Sequence, residues 1–172
     1  FFNTIFYYLI KKIEEYTVLN SDKSIFISKD FINLFEYQTV KKKYLILYNW
    51  ADSSNFESIK NLNLSNHKNK KKFIIKYSGT LGLKHNPYLI CNIAAKLYDL
   101  DNFSLVINSE GLGADIIKKQ ININNLKNII LDGYLSLEDF KKSLLLSDMF
   151  LVILDKEASK FSIPSKILNY IC

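Results

Sequence analysis

Short apolar runs alternate with longer segments of mixed polarity along the second half of the chain. The runs are rich in β-branched and aromatic residues, which is typical of buried strands, while the segments between them repeat apolar positions at helical spacing. Strands are predicted over residues 73–77, 103–108, 128–132 and 149–154, and helices over residues 88–98, 114–120, 137–146 and from Pro164. Regular strand–loop–helix alternation builds a parallel sheet, so this half is predicted to be α/β.

The first half of the chain has a different pattern. Residues 1–17 read as an amphipathic helix, and two short strands, at residues 24–28 and 44–48, flank a short helix. A stretch rich in Asn, Ser and Lys follows and interrupts the apolar pattern. We therefore expect residues 1–50 to be part of one domain, truncated in this sequence, residues 51–72 to be a linker, and residues 73–172 to form a second domain whose end is missing.

All five glycines follow the predicted strands of the second half. Glycine belongs where the chain leaves a strand and another group must approach the backbone closely. In open parallel sheets, ligands bind at the carboxyl ends of the strands. These positions therefore indicate where a ligand would bind: Gly79, Gly82, Gly111, Gly113 and Gly133.

The last predicted helix begins with Pro164-Ser165-Lys166. Proline suits a first helical turn, whose free N–H groups and positive dipole end attract anions, and Lys166 adds a mobile charge there. This pattern suits a phosphate site, although it also occurs at ordinary helix starts.

A second polar cluster follows the strand at residues 73–77. Gly79 and Gly82, with Thr80 and Lys84 close by, would suit a diphosphate, but the spacing is not that of a P-loop. The run Gly111-Leu112-Gly113 begins like a dinucleotide fingerprint but lacks its third glycine, so a dinucleotide-dependent oxidoreductase is a weak alternative. His67 and His85 have no metal-ligand partners at useful spacing, and we expect no metal site.

Charge and composition narrow the partners. The net charge is +6, yet all 23 basic residues are lysine, which argues against nucleic acid, since arginine is the usual reader of guanine and phosphate. The lysine excess fits anionic small molecules or an anionic membrane surface, or simply compositional drift. Four lysines between residues 68 and 72 are either part of a solvated linker or a peripheral membrane contact. Cys91 and Cys172 lack disulfide or zinc spacing, which favours a cytoplasmic location.

Taken in order, the motifs resemble those of a known family. The matching blocks are Asn49-Trp50-Ala51-Asp52, Ile75 to Gly82, Leu105 to Gly111, Ile130 to Tyr134, Ser147 to Val152, and Ile163 to Tyr170. The set resembles the retaining glycosyltransferases of the GT-B fold, in the family-4-like group of bacterial polysaccharide and capsule enzymes. Pro164-Ser165-Lys166 is similar to a variant of that family's donor-site motif.

The resemblance implies a fold, an activity and a site. The fold would be α/β of the GT-B type, with a Rossmann-like, doubly wound parallel sheet as the donor domain, preceded by the end of a second Rossmann-like, acceptor-side domain. The enzyme would move a hexosyl or N-acetylhexosaminyl group from a nucleotide-diphosphate sugar to a polysaccharide or lipid-linked acceptor, with retention and without an essential metal or cofactor. The family's motifs place the diphosphate beside Gly79, Thr80, Lys84, Ser165 and Lys166, and the base and ribose beside Gly133, Tyr134 and Asn169.

Departures from the family pattern keep a second interpretation open. Phe161 and Asn169 stand where many relatives carry two glutamates, and Thr80 stands where many carry arginine. The family's catalytic groups in the acceptor domain would lie before residue 1, so no catalytic residue can be named. A non-catalytic nucleotide-sugar-binding or scaffold relative is therefore the alternative.

Overall fold

The computed structural model describes residues 2–34, 44–54, 56–57, 72–154, 156 and 164–171. The chain divides into two compact units, Phe1–Trp50 and Ala51–Cys172. Most of the predicted linker, including its lysine cluster up to Lys71, lies outside the described residues.

The first unit pairs two short strands in parallel. Its elements are α1 (Phe2–Asn20), β1 (Ser24–Phe26), α2 (Lys29–Leu34) and β2 (Tyr44–Ile46). Phe26 is buried, and its ring meets that of Tyr44 edge to face. Along α1 the large apolar side chains are exposed, for example Phe6 and Tyr7 at 62% and 68%. No helix among the described residues has both the length and the hydrophobicity that crossing a membrane requires.

The second unit is the predicted strand–loop–helix alternation. Its elements are β3 (Phe73–Ser78), a 3₁₀ turn (Leu83–His85), α3 (Pro87–Lys96), β4 (Phe103–Asn108), α4 (Leu112–Asn124), β5 (Ile129–Asp132), α5 (Leu137–Leu145), β6 (Met149–Phe150) and α6 (Ser165–Ile171). The four strands form one parallel sheet in the order β5-β4-β3-β6. The prediction of an α/β fold with a parallel sheet is confirmed, and the glycine-containing loops all follow the carboxyl ends of strands.

Two helix starts explain why the chain turns where it does. Asn86 adopts a left-handed conformation, its side chain accepts the Leu89 N–H, and Pro87 follows at the first helical position. Before α5, the Ser136 hydroxyl accepts the Asp139 N–H at 3.1 Å and so caps the helix. Local sequence therefore ends the loops that follow β3 and β5.

The core lies between the sheet and its helices. Several of its side chains are fully enclosed, as expected for a parallel sheet covered by helices. They are Tyr77, Leu81, Ile90, Leu105, Ile107 and Ile117. Cys91 is also buried, and burial raises the pKa of its thiol.

Strand β6 is shorter than predicted. Only Met149 and Phe150 pair with β3, whereas the sequence indicated a strand over residues 149–154. The Tyr170 hydroxyl accepts the Ser78 N–H at 2.9 Å and donates to the Ser78 carbonyl oxygen at 3.2 Å. These are the main-chain groups that a longer β6 would use, because even-numbered residues of β3 face β6. A side chain of α6 therefore ends the ladder.

Candidate functional site

A cavity of about 590 Å³ opens at the carboxyl edge of the sheet, within the second unit. Its volume is within the usual range for small-molecule sites. It is lined by residues that follow β3, β5 and β6 and by the start of α6: Ser78, Gly79, Thr80, His85, Tyr134, Leu135, Phe140, Leu154, Pro164, Ser165, Lys166 and Asn169. Six of the eight residues singled out in the sequence are among them.

The other two predicted residues are placed differently. Gly133 lines a neighbouring groove of about 500 Å³, where Glu110 and the start of α4 form the wall. Lys84 lies in the 3₁₀ turn after Gly82, and its side chain is outside the described part of the structure. Phe161, the other position of interest in the sequence, is likewise outside it.

Gly79 and Lys166 meet in the cavity wall although 87 positions separate them in the chain. Gly79 has a φ of 113°, which favours glycine, and a Cβ there would lie 3.0 Å from Lys166 Cε. The Lys166 side chain therefore passes directly over Gly79, where the absence of a side chain leaves room for it. The loop that contains Gly79 and the helix start that contains Lys166, which the sequence indicated separately, therefore form one surface.

Thr80 is the point where three side chains converge. Its carbonyl oxygen accepts hydrogen bonds from Lys166 Nζ at 3.1 Å and from the Tyr77 hydroxyl at 2.8 Å. Its own hydroxyl lies 3.4 Å from the Tyr134 hydroxyl. These contacts fix the loop after β3 and bring Tyr134, from the loop after β5, to the same place.

The ring of Tyr77 lies against the ammonium group of Lys166. The Lys166 ammonium lies 5.0 Å from the centroid of the Tyr77 ring, within the range of a cation–π interaction. Burial, helped by the neighbouring Tyr170 and Tyr134, raises the pKa of the Tyr77 hydroxyl well above its usual value. The hydroxyl therefore stays protonated and donates to Thr80 throughout the physiological range.

His85 is a cavity residue that the sequence did not single out. The ring is buried, with 7% exposed. Its Nδ1 accepts the Gly82 N–H at 3.1 Å, so in the neutral ring the proton is on Nε2. The available signal was its place in the loop directly after a strand's carboxyl end, where polar residues face the ligand region.

An aromatic cluster supports the α6 side of the cavity. The Tyr170 ring stacks on Phe150 with a centroid distance of 4.8 Å and lies 6.5 Å from Phe140. Burial raises the pKa of the Tyr170 hydroxyl, while its hydrogen bond with Ser78 lowers it. The cluster holds α6 to the sheet and thereby positions Lys166 and Asn169 on the same helix.

The charges of the cavity wall have one sign. Among the described residues that line the cavity, Lys166 contributes a positive charge, and none has a carboxylate side chain. Hydroxyl, amide and imidazole groups make up the rest of its polar surface. A positive wall of this kind favours an anionic ligand. The described residues contain no cluster of three or more His, Cys, Asp or Glu side chains that could hold a metal ion.

Comparison with solved structures shows that the α/β fold of this chain is of the GT-B type, and the similar structures include glycosyltransferases. The chain is similar to TarM from S. aureus, with a TM-score of 0.61 and 20% identity over 82% of this chain. A TarM variant in complex with fondaparinux, α-GlcNAc-glycerol and UDP gives a TM-score of 0.60 at 20% identity, again over 82% of this chain. A glycosyltransferase from Rickettsia africae gives 0.62 at 17% identity over 78% of this chain.

The similarity covers only part of those proteins. The chain spans 27% of either TarM structure and 38% of the R. africae chain. No protein-family model matches the sequence, and no curated protein matches it significantly. At these identities the likeness establishes the fold.

Proposed function

We propose that this chain supplies the donor-nucleotide site of a glycosyltransferase. The observation that carries the proposal is the meeting of Gly79, Thr80 and Lys166 in one cavity wall. A nucleoside diphosphate leaving group develops negative charge as the glycosidic bond to the donor breaks, and a preorganised cation stabilises that charge. Lys166 would supply that cation, and Ser165, which also lines the cavity, would bind the diphosphate beside it.

The remaining lining residues suit the other parts of a nucleotide sugar. Tyr134 offers a half-exposed ring and hydroxyl for the base, with Gly133 directly before it, and Asn169 offers an amide that can bond a ribose hydroxyl. His85 offers an Nε2–H donor in the neutral ring. In support, one solved structure with a similar fold, that of a TarM variant, contains UDP and α-GlcNAc-glycerol.

The finer assignment follows the family resemblance. The sugar would be a hexosyl or N-acetylhexosaminyl group, transferred with retention to a polysaccharide or lipid-linked acceptor, in the cytoplasm or at the inner face of the membrane. Lys166 and main-chain N–H groups would stabilise the leaving diphosphate without an essential metal. Treatment with EDTA is then expected to leave nucleotide affinity unchanged.

A non-catalytic nucleotide-sugar-binding relative is the second candidate. The observation in its favour is that Asn169 lines the cavity at a position where a glutamate is common in the family, and that no described lining residue is acidic. Such a protein would bind the donor and release no nucleotide.

One experiment tests both candidates. The full-length protein is titrated calorimetrically with UDP, GDP, ADP and CMP, and incubated with the matching nucleotide sugars and a lipid-linked or glycan acceptor while free nucleotide is measured. Binding with acceptor-dependent release supports the enzyme, and binding without release supports the second candidate. Absence of binding to every nucleotide would contradict both.

A further inference from the structure

A diagonal row of three polar side chains crosses one face of the sheet; two of them, Lys76 and Asn108, are buried, and the third, Asp132, is exposed. Lys76 in β3 pairs with Val106 in β4, two residues before Asn108, and Asn108 pairs with Asp132 in β5. Side chains two residues apart on a strand share a face, so Lys76, Asn108 and Asp132 follow one another across three strands. Lys76 is only 4% exposed, which is unusual for a lysine.

The contact with Lys76 fixes the orientation of the Asn108 side-chain amide. Lys76 Nζ donates to Asn108 Oδ1 at 2.7 Å. Because an ammonium group has donors only, this contact requires the amide oxygen to face Lys76, and the amide nitrogen is left on the other side. There Asn108 Nδ2 donates to the Gly133 carbonyl oxygen at 3.3 Å. The lysine thus determines which group Asn108 presents to the loop after β5.

Asn108 joins two loops of the site. Its main-chain carbonyl oxygen accepts the Gly79 N–H at 2.9 Å, while its side chain holds Gly133. Tyr134 follows Gly133 and reaches back to Thr80 with its hydroxyl. The loops after β3 and β5 are therefore connected both below the cavity and across it.

Burying the charged side chain of Lys76 at this position is unfavourable in free energy. Burial lowers the pKa of Lys76 below its usual value, and the nearby Asp132 only partly opposes this effect. An apolar side chain of similar length would fill the space without that cost. What the lysine supplies and an apolar side chain cannot is the hydrogen bond to Asn108 Oδ1.

We propose that Lys76 is a positioning residue of the nucleotide site: by orienting the Asn108 amide, it holds the Gly133–Tyr134 loop in the geometry that receives the base. The loop-positioning part stands on the contacts alone, and the part about the base rests on the proposed function. Lys76 itself touches no ligand in this scheme. It acts through Asn108.

The first arm of the test needs no ligand. Hydrogen–deuterium exchange is measured in the full-length protein for the wild type and Lys76→Met. We expect amides at residues 133–135 to exchange at least fivefold faster in the variant, and those at residues 103–107, in the centre of β4, to be unchanged. Lys141→Met is the matched control, because Lys141 is also buried but pairs with Glu138 on α5. Equal exchange in the wild type and Lys76→Met would overturn the proposal.

The second arm separates the base from the phosphates. Affinities for UDP, GDP and inorganic pyrophosphate are measured with the same variants. Loss of one hydrogen bond that positions the base predicts an affinity about five- to tenfold weaker for the nucleotide that the wild type binds, with pyrophosphate changed less than twofold. Equal losses for the nucleotide and pyrophosphate would indicate general damage and overturn the proposal.

A second variant covers the case in which Lys76→Met does not fold. Asn108→Asp keeps an acceptor for Lys76 Nζ but, as a carboxylate, cannot donate to Gly133. The same faster exchange at residues 133–135 and the same selective loss of the nucleotide are expected, and their absence contradicts the proposal. If the wild type binds no nucleotide, the proposed function fails while the exchange arm still decides the role of Lys76.

Discussion

At the scale of single residues, the site is built on a contact between a residue without a side chain and a residue with a long one. Gly79 leaves room for the Lys166 side chain, and Tyr77 lies beneath its ammonium group. Lys166 donates to the Thr80 carbonyl oxygen in this structure. A bound diphosphate would offer that ammonium a charged acceptor, and hydrogen bonds to charged groups are stronger than those to neutral ones.

Replacing Lys166 by alanine should therefore weaken nucleotide binding without unfolding the protein. A charge-assisted hydrogen bond contributes roughly 1.5–3 kcal/mol, which predicts a loss of affinity of about ten- to a hundredfold for UDP and for pyrophosphate alike. Isothermal titration and a thermal melt of the same sample measure both properties.

Lys119→Ala is the control for net charge, because Lys119 is exposed on α4 and does not line the cavity. Its affinity for UDP should stay within about twofold of the wild type, since one solvated charge is largely screened. Similar losses in both variants would mean that Lys166 has no specific place in the site.

At the scale of elements, close packing between α4 and the loop after β3 depends on a helical glycine. A Cβ at Gly113 would overlap the carbonyl oxygen of Leu81, which is itself buried. The loop that carries Thr80 therefore rests directly on the first turn of α4. The backbone cannot yield there without moving part of the cavity wall.

Gly113→Ala should destabilise the protein by about 1–3 kcal/mol, because overpacking of this kind forces a backbone shift. Urea denaturation of the full-length protein, followed by circular dichroism, gives the free energy of unfolding. Gly82→Ala is the matched control: Gly82 has a φ of −84°, and its nearest neighbour to a new Cβ is His85 Nδ1 at 4.0 Å. An alanine fits there, so its effect should stay within about 1 kcal/mol. Equal effects would contradict the packing argument.

The sequence predicts the elements better than it predicts their last residues. Strands β3 to β5 are predicted within one residue at either end, because a continuous apolar run is a local signal. Strand β6 is not, because it is ended by Tyr170, a residue some 20 positions further along the chain. No local pattern shows that this hydroxyl takes the main-chain groups of Ser78.

The same distinction applies to the site. The family resemblance implies that Gly79, Thr80 and Lys166 lie beside one diphosphate, and in the structure these three residues line the same cavity. His85 was not predicted, since its burial depends on packing against Tyr77, whose ring it meets edge to face. Lys76 was not singled out either, because a lysine inside a strand looks the same in sequence whether it faces solvent or the core.

At the scale of the whole molecule, stability should be uneven across the sheet. Strand β3 has β4 on one side along its whole length, whereas β6 contributes two paired residues on the other. Local opening is easiest where few contacts hold an element. The side of the sheet next to β4 should therefore be the most stable part of the second unit.

Hydrogen exchange on the intact protein should show this order. Amides of Leu105 and Ile107, in the centre of β4, are expected to exchange at least a hundredfold more slowly than those of Met149 and Phe150. The expected difference corresponds to about 2.7 kcal/mol in opening free energy. Uniform protection across the four strands would show that β6 is held as firmly as β4.

The order of the strands also has a consequence for the folding of the protein during its synthesis. During synthesis β3 can pair with β4 after about thirty further residues, but its other edge waits for Met149, which follows Ile75 by 74 positions. Until then the nascent chain has an unpaired edge on a hydrophobic strand, a feature that invites association with other chains. The closing contact has high sequence separation, so loop-closure entropy makes it slow. Among the four strands of this sheet, β6 is therefore expected to join last, so the side of the cavity that includes Leu154 forms only after β6 has paired.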